Sequence, residues 1–212
     1  MKFRSIAVEG PIGVGKTSLI KLLAESFDAH MVLEELDNPF LKAFYEDKPG
    51  APFQAQLFFL LSRNRQLQEL AQRDLFQQIT LCDYIFSKDK IFAYLNLDDS
   101  ELLIYDKLYE MLEAQLPKPD LVIYLQAQTA TLEERIRRRN RKYETGMSET
   151  YIEEVNKAYN YFFFHYTQTP LLVIDTTRID FVRHSEHLDE LVDQIRKMDR
   201  GVQYYTPLGS SA

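Results

Sequence analysis

The run Gly10-Pro11-Ile12-Gly13-Val14-Gly15-Lys16-Thr17, with Ser18 after it, fits the pattern G-x-x-x-x-G-K-[ST]. It lies between an apolar stretch, Phe3–Glu9, and a helical pattern, Lys16–Phe27. Glycines let the backbone curl until its N–H groups point inward around phosphate oxygens. The following helix adds the positive end of its dipole. Lys16 can then reach the β- and γ-phosphates, and the Thr17 hydroxyl can ligate Mg²⁺. Such a loop works at a strand-to-helix junction, so the chain is expected to open with one βα unit of an α/β sheet. The ligand it implies is a nucleoside triphosphate.

The rest of the chain keeps the alternation going. His30–Glu35, Ile79–Asp83, Leu121–Leu125 and Leu171–Asp175 read as further strands. Phe53 to Asp74, Ser100–Gln115, Thr129–Arg139, Ser148–Thr167 and Glu186–Met198 carry apolar residues at helical spacing. Five buried-looking strands separated by helices predict a three-layer α/β phosphate-loop kinase fold. In it a five-stranded parallel sheet is flanked by helices and topped by an arginine-rich lid. With 212 residues and 45% apolar side chains there is enough chain for one core. No repeat or linker divides it, so residues 1–200 are expected to form one domain and residues 201–212 a mobile tail.

Composition narrows the partners. The balance of 25 Lys+Arg against 32 Asp+Glu, a net −7, does not suit a nucleic acid polymer, which needs a basic face. No apolar run approaches the about 18 residues of a membrane span. The N-terminal run leads straight into a strand pattern, and one cysteine fits a reducing compartment, so a cytoplasmic location is expected. Asp47-Lys48-Pro49-Gly50 matches D-x-x-G, but the Asn156-Lys157 pair lacks the Asp of a guanine-specifying N-K-x-D. A motor or transporter ATPase would need more chain. A small kinase of metabolites fits.

Such a kinase needs a base or orienter for the acceptor hydroxyl, cations for the moving phosphoryl group and a pocket for the acceptor. Glu34-Glu35 ends the second strand and offers the carboxylate. Asp83 and Asp175 each end an apolar strand, and either could order the magnesium ion. Arg135, Arg137, Arg138, Arg139 and Arg141 concentrate positive charge after the fourth strand, with Arg135 and Arg139 on one helix face. Gln56 and Arg63, two helical turns apart on the longest helix, share a face that can read the edge of a nucleobase.

The order and spacing of Glu9–Thr17, Leu33–Leu41 with Phe44-Tyr45, Gln56–Arg63, Asp83–Ala93, Leu116–Asp120 with Val122–Leu125, and Arg135–Glu144 resemble the deoxynucleoside kinase family. Within that family the bacterial deoxyadenosine/deoxyguanosine kinases are the most similar type. The resemblance covers nearly the whole chain. It implies ATP-dependent 5′-phosphorylation of a purine deoxynucleoside in salvage, with ATP and Mg²⁺ as cofactors, by a homodimer. By this resemblance Glu34, with Glu35 as the alternative, accepts the 5′-hydroxyl proton. Tyr45 and Glu144 hold the 3′-hydroxyl, and Gln56, with Gln54 as the alternative, pairs with the base. Arg63 and Asp89 stand at the far edge of the base, and Phe86 is either an apolar wall or a core residue. Arg135, Arg139 and Arg141 are lid arginines, Asp180-Phe181 clasps adenine, and Thr17 and Asp83 hold Mg²⁺. One departure stands out: the family commonly has arginine after the acidic residue of the third strand, and here the pair is Asp83-Tyr84. A nucleoside monophosphate kinase of thymidylate kinase type, or a non-catalytic nucleotide-binding subunit, would share the phosphate loop.

Overall fold

A computed structural model describes residues 2–35, 37–73, 79–140, 147–179, 181 and 185–206. β1 (Ser5–Glu9) is buried from Ile6 to Glu9 and runs parallel to neighbours on both sides, as a strand with two covered faces must. On one side lies β3 (Thr80–Cys82), followed by β2 (His30–Val32). On the other lie β4 (Leu121–Gln126) and β5 (Leu171–Asp175). Beyond β5 comes β6 (Val202–Tyr205), so the sheet order is β2-β3-β1-β4-β5-β6.

Side-chain alternation along β4 shows why helices must cover both faces. Leu121, Ile123 and Leu125 belong to one buried cluster, and Val122 and Tyr124 to another. The first cluster receives α1 (Lys16–Phe27), α6 (Thr129–Arg139) and α8 (Ser185–Lys197). The second receives α4 (Lys88–Asn96) and α7 (Glu149–Phe164). A third cluster forms where α3 (Ala51–Arg73) and α5 (Asp99–Glu113) meet Cys82 and Tyr84. The short α2 (Leu41–Tyr45) precedes α3.

The sheet has six strands where the sequence predicts five. The sixth comes from the start of the segment expected to be a mobile tail. Its register against β5, Leu171 to Val202 through Ile174 to Tyr205, gives that apolar strand a neighbour. Exposure falls on Val202 and Tyr204, while Tyr205 turns inward against the core and its hydroxyl donates to Glu190 of α8. Four residues with alternating exposure at a sheet edge leave little periodic signal in the sequence. The sequence also gives no separate sign of α2 or α4.

Because every strand is parallel, β1, β2 and β3 all deliver their carboxyl ends to one edge, where β1 divides the two directions of chain winding. The loops after those strands carry Gly10 to Gly15, Glu34 and Asp83. Ile123, fully buried at the centre of the sheet, reports on this frame. Ile123→Ala should cost about 2–5 kcal/mol in urea unfolding. A loss below about 1 kcal/mol would show a loosely filled sheet centre.

Candidate active site

The phosphate loop needs its glycines for two different reasons. At Gly13 (φ 86°) a Cβ would stand 2.8 Å from Ile136 Cγ1 and 2.9 Å from the Leu132 carbonyl oxygen, so α6 packs directly on the loop. At Gly15 (φ 107°) there is open space, and the left-handed backbone alone favours glycine. Lys16 curls over the loop, donating to the Gly10 carbonyl at 2.5 Å and to that of Pro11 at 3.3 Å. Burial, followed by the nearby Lys88 charge, lowers its pKa to about 8, against the pull of Glu9, Glu34 and Asp83. Polyphosphate oxygens would supply the anionic partners that the ammonium lacks.

Glu9, fully buried at the end of β1, accepts from the Gly10 N–H at 3.0 Å through Oε2 and from the Ile85 N–H at 2.9 Å through Oε1. It therefore ties the phosphate loop to the loop after β3. Burial raises its pKa, with Lys88 and Lys16 opposing.

Glu34 is the carboxylate that the fold brings into the site. Its Oε1 accepts from Arg63 Nε at 2.9 Å and from Arg63 Nη2, and its Oε2 accepts from Lys88 Nζ at 2.9 Å. Burial alone would push its pKa up. The Lys88 and Arg63 charges, with their hydrogen bonds, outweigh that and hold it well below the usual carboxylate range. Glu35 points outward, accepting from Ser62 at 2.6 Å and from Arg65 at 3.2 Å. Side-chain direction at the end of a three-residue strand decides between the two, and the sequence alone leaves it open.

Asp83 resolves a second ambiguity. Its Oδ1 accepts the Glu34 N–H at 2.7 Å, while Oδ2 lies 3.4 Å from the Thr17 hydroxyl. Asp175 instead turns back on its own chain, accepting the Thr177 N–H at 2.9 Å. The Thr17 and Asp83 oxygens, side by side at the mouth of the phosphate loop, suit a hard cation such as Mg²⁺. Among the described residues no group of three or more His, Cys, Asp or Glu could hold a metal. A cation here would draw its other ligands from phosphate and water.

At the far end of the site, Gln56 Nε2 donates to Asp89 Oδ1 at 2.5 Å and to the Asp89 carbonyl at 3.0 Å. Arg63 pairs with Asp89 Oδ1 as well as with Glu34. It thus reaches beyond the edge of the base assigned to it by the resemblance and joins the two ends of the site. Its guanidinium also lies 4.9 Å from the centre of the Phe59 ring. Gln54 is exposed, whereas Gln56 lines the cavity. Tyr45 lines it too, with its hydroxyl 3.9 Å from Met147 Sδ.

Phe86 is not a wall. It is buried in the third cluster and stacks on Tyr109 with ring centres 5.0 Å apart. The aromatic lining comes from Phe44, Phe59, Phe92 and Tyr151. An aromatic residue at a helix entry suits core or pocket equally well, so the sequence does not separate them.

Arg135 lines the cavity and is also held by backbone oxygens. It donates to the carbonyls of Val14 (3.2 Å), Thr176 (2.7 Å) and Ile179 (3.1 Å) and to the Thr176 hydroxyl (3.1 Å). It braces the phosphate loop against the segment leading to Phe181, which lines the cavity. Arg138 and Arg139 are exposed and line the same cavity. Arg141, Glu144 and Asp180 lie outside the described residues.

Sequence reasoning missed Lys88, Asn96 and the aromatic lining. The substitution at Tyr84 was a usable signal for Lys88, because a missing cation invites a search for its replacement nearby. Tyr84 itself is buried and donates to Gln66 at 2.8 Å.

These residues surround one cavity of about 710 Å³. A cavity lined by a phosphate loop, by Glu34, Gln56 and Arg63 and by aromatic rings defines a phosphate-loop phosphotransferase for small metabolites. The sequence matches the deoxynucleoside kinase family over residues 6–199, and the chain belongs to that family. Its activity is that of the family, phosphoryl transfer to a deoxynucleoside with ATP as donor. It is 33% identical over 199 residues to deoxyguanosine kinase of Bacillus subtilis (strain 168), covering 91% of this chain and 96% of that one. Deoxyadenosine kinase of Lactobacillus acidophilus is 29% identical over 205 residues, covering 90% of this chain and 94% of the relative. A solved deoxyadenosine kinase from M. mycoides, with dCMP and a flexible dCDP bound, superimposes with a TM-score of 0.79. That match covers 91% of this chain and 99% of the other at 24% identity, so it speaks for the fold. No described helix is long and apolar enough to cross a membrane.

Arg135 and Arg139 of α6 should separate in mutagenesis. Arg135→Lys loses the forked contacts to carbonyls and should lower Tm by about 4 °C and raise the KM for ATP. Arg139→Lys should lower kcat with Tm unchanged. Calorimetry with steady-state kinetics tests both, and a Tm that does not respond to Arg135→Lys would remove the bracing role.

Proposed function

We propose that the chain transfers the γ-phosphoryl group of ATP to the 5′-hydroxyl of a purine deoxynucleoside, as a salvage enzyme of the cytoplasm. The observation that carries this reading is Glu34, which stands in one cavity with the phosphate loop while its partner Arg63 reaches Asp89, which in turn accepts from Gln56. The acceptor hydroxyl then lies beside the carboxylate when the base lies beside Gln56. Relatives acting on deoxyguanosine and deoxyadenosine support a purine acceptor.

In this mechanism the phosphate loop and Lys16 hold the polyphosphate. Thr17 and Asp83 would hold Mg²⁺, which when bound would supply positive charge to the polyphosphate. Tyr45, with Glu144, orients the sugar through its 3′-hydroxyl. Phe44, Phe59 and Phe92 exclude water around the base. Arg139, with Arg141, covers the transferring group, and Phe181, with Asp180, borders the adenine of ATP.

A carboxylate flanked by two cations is a weak base, and the chemistry tolerates that. In a loose phosphoryl transfer the attacking oxygen needs little activation, because its proton leaves late, once the new O–P bond has made it acidic. Glu34 then aligns the hydroxyl first and accepts its proton afterwards. A strongly basic residue is not required.

An ADP-release assay across the four deoxynucleosides and their monophosphates tests the reading. Turnover of deoxyguanosine or deoxyadenosine is expected, and activity confined to monophosphates would overturn it. Glu34→Gln should lower kcat by about 100-fold or more with ATP affinity little changed. Near-normal turnover would remove Glu34 from the role.

The same reading includes a homodimer. Tyr161 and Phe164 of α7 are 72% and 78% exposed, and Tyr94 of the adjoining α4 is 58% exposed. Exposed aromatics in such number suit a subunit contact. Light scattering should give twice the chain mass, and Tyr161→Glu with Phe164→Glu should halve it. A monomer in the wild type would refute the assignment.

A further inference from the structure

Lys88 is almost wholly buried, yet it opens α4, where a cation faces the positive end of the helix dipole. Stability alone would favour an acidic or capping residue there. What holds the ammonium in place is charge: burial would lower its pKa, and the Glu34 and Glu9 carboxylates more than offset that. A lysine placed against both desolvation and dipole, and lining the cavity, suggests use in the site.

The hydrogen bonds to Glu34 show what that use is. A carboxylate oxygen has two lone-pair sites. Oε1 takes two donors from Arg63, Nε and Nη2, and is filled. Oε2 takes one donor among the described residues, Lys88 Nζ, at 2.9 Å. One acceptor site of Glu34 is therefore left, on Oε2, and Lys88 fixes its direction. Arg63 fixes the plane of the carboxylate, and Lys88 fixes which oxygen reacts.

We propose that Lys88 is the positioning residue of the acceptor end, holding Glu34 Oε2 so that its remaining lone pair meets the 5′-hydroxyl. This rests on the kinase reading above. During transfer the O5′–H bond breaks and its proton passes to Oε2. The O5′–P bond forms, and the bond from the γ-phosphorus to the bridging oxygen breaks, its electron pair leaving with ADP. The role also accounts for Tyr84. Its hydroxyl bonds Gln66, so the residue after Asp83 brings no cation to Glu34, and Lys88 reaches in from the next helix.

Lys88→Met, Lys88→Leu and Lys88→Arg, each checked by thermal melting, test this through kcat and KM for the deoxynucleoside and for ATP. In Lys88→Met, kcat should fall about 100-fold or more, with the deoxynucleoside KM within about threefold of wild type. Lys88→Arg should recover kcat to within about tenfold of wild type, because a donor returns to Oε2. Lys88→Leu, which likewise brings no donor to Oε2, decides the matter if Lys88→Met does not fold. If neither folds, Lys88 is a folding residue and the proposal fails. It also fails if a folded neutral variant keeps kcat within about threefold, if the loss lies in KM alone, or if arginine rescues nothing. A wild-type chain inactive on every deoxynucleoside would overturn the kinase reading itself. Normal wild-type activity with indifferent Lys88 variants would overturn this proposal alone.

Discussion

The grip of Arg63 and Lys88 on Glu34 is the contact on which the geometry of the site depends. From Glu34 the hydrogen bonds run in two directions. Its backbone N–H reaches Asp83, which reaches Thr17 at the phosphate loop. Its side chain reaches Arg63, then Asp89, then Gln56. Glu9 closes the frame by joining Gly10 to Ile85. The end that holds phosphate and the end that holds the base are thus linked by polar contacts through elements from four parts of the chain. Buried charges that lose one partner are strongly destabilising, so these side chains have few alternative arrangements. That rigidity supplies alignment before substrate arrives, and in a loose phosphoryl transfer alignment is most of the catalysis.

The charges in this frame explain how an acidic protein holds a polyanion. Four carboxylates, Glu9, Glu34, Asp83 and Asp89, meet three cations, Lys16, Arg63 and Lys88. Each carboxylate has a fixed task inside the protein, so none is left to repel phosphate across open solvent. Lys16 sits among them with its pKa pulled down, and an incoming triphosphate would relieve that penalty. The net charge of −7 belongs chiefly to the outer surface, where Asp98, Asp99, Glu110 and others face solvent. Binding of one small anion follows local placement, whereas binding of a nucleic acid polymer would follow the surface sum.

What could be read in the sequence follows from which constraints act locally. The phosphate loop was legible because positive φ and close packing on α6 leave little but glycine at those positions. The inner strands were legible because burial on both faces demands unbroken apolar runs. Their parallel order then placed Glu34 and Asp83 at one edge before any side chain was located. The choice of Glu34 over Glu35, of Gln56 over Gln54 and of Asp83 over Asp175 depends on side-chain direction, which pattern does not encode. β6 was missed because an edge strand of four residues needs only half its side chains buried. Lys88 was missed and Phe86 left open between wall and core for a shared reason: around a helix start, neither lysine nor phenylalanine announces which way it faces.

Arg135 shows that neighbouring arginines of one helix can be held very differently. A guanidinium that donates to three backbone carbonyls is already oriented by neutral acceptors, and it keeps its full charge there. Charge and position therefore serve different ends. The position braces the phosphate loop against the segment before Phe181, and the charge adds to the potential that a triphosphate meets. Arg138 and Arg139 lie exposed beside the cavity. One turn of α6 thus separates a cation held by backbone carbonyls from cations exposed at the rim of the cavity. The i,i+4 spacing that puts Arg135 and Arg139 on one face cannot by itself say which is which, because burial grades along the helix from Ile136, under the sheet edge, to the exposed Arg139.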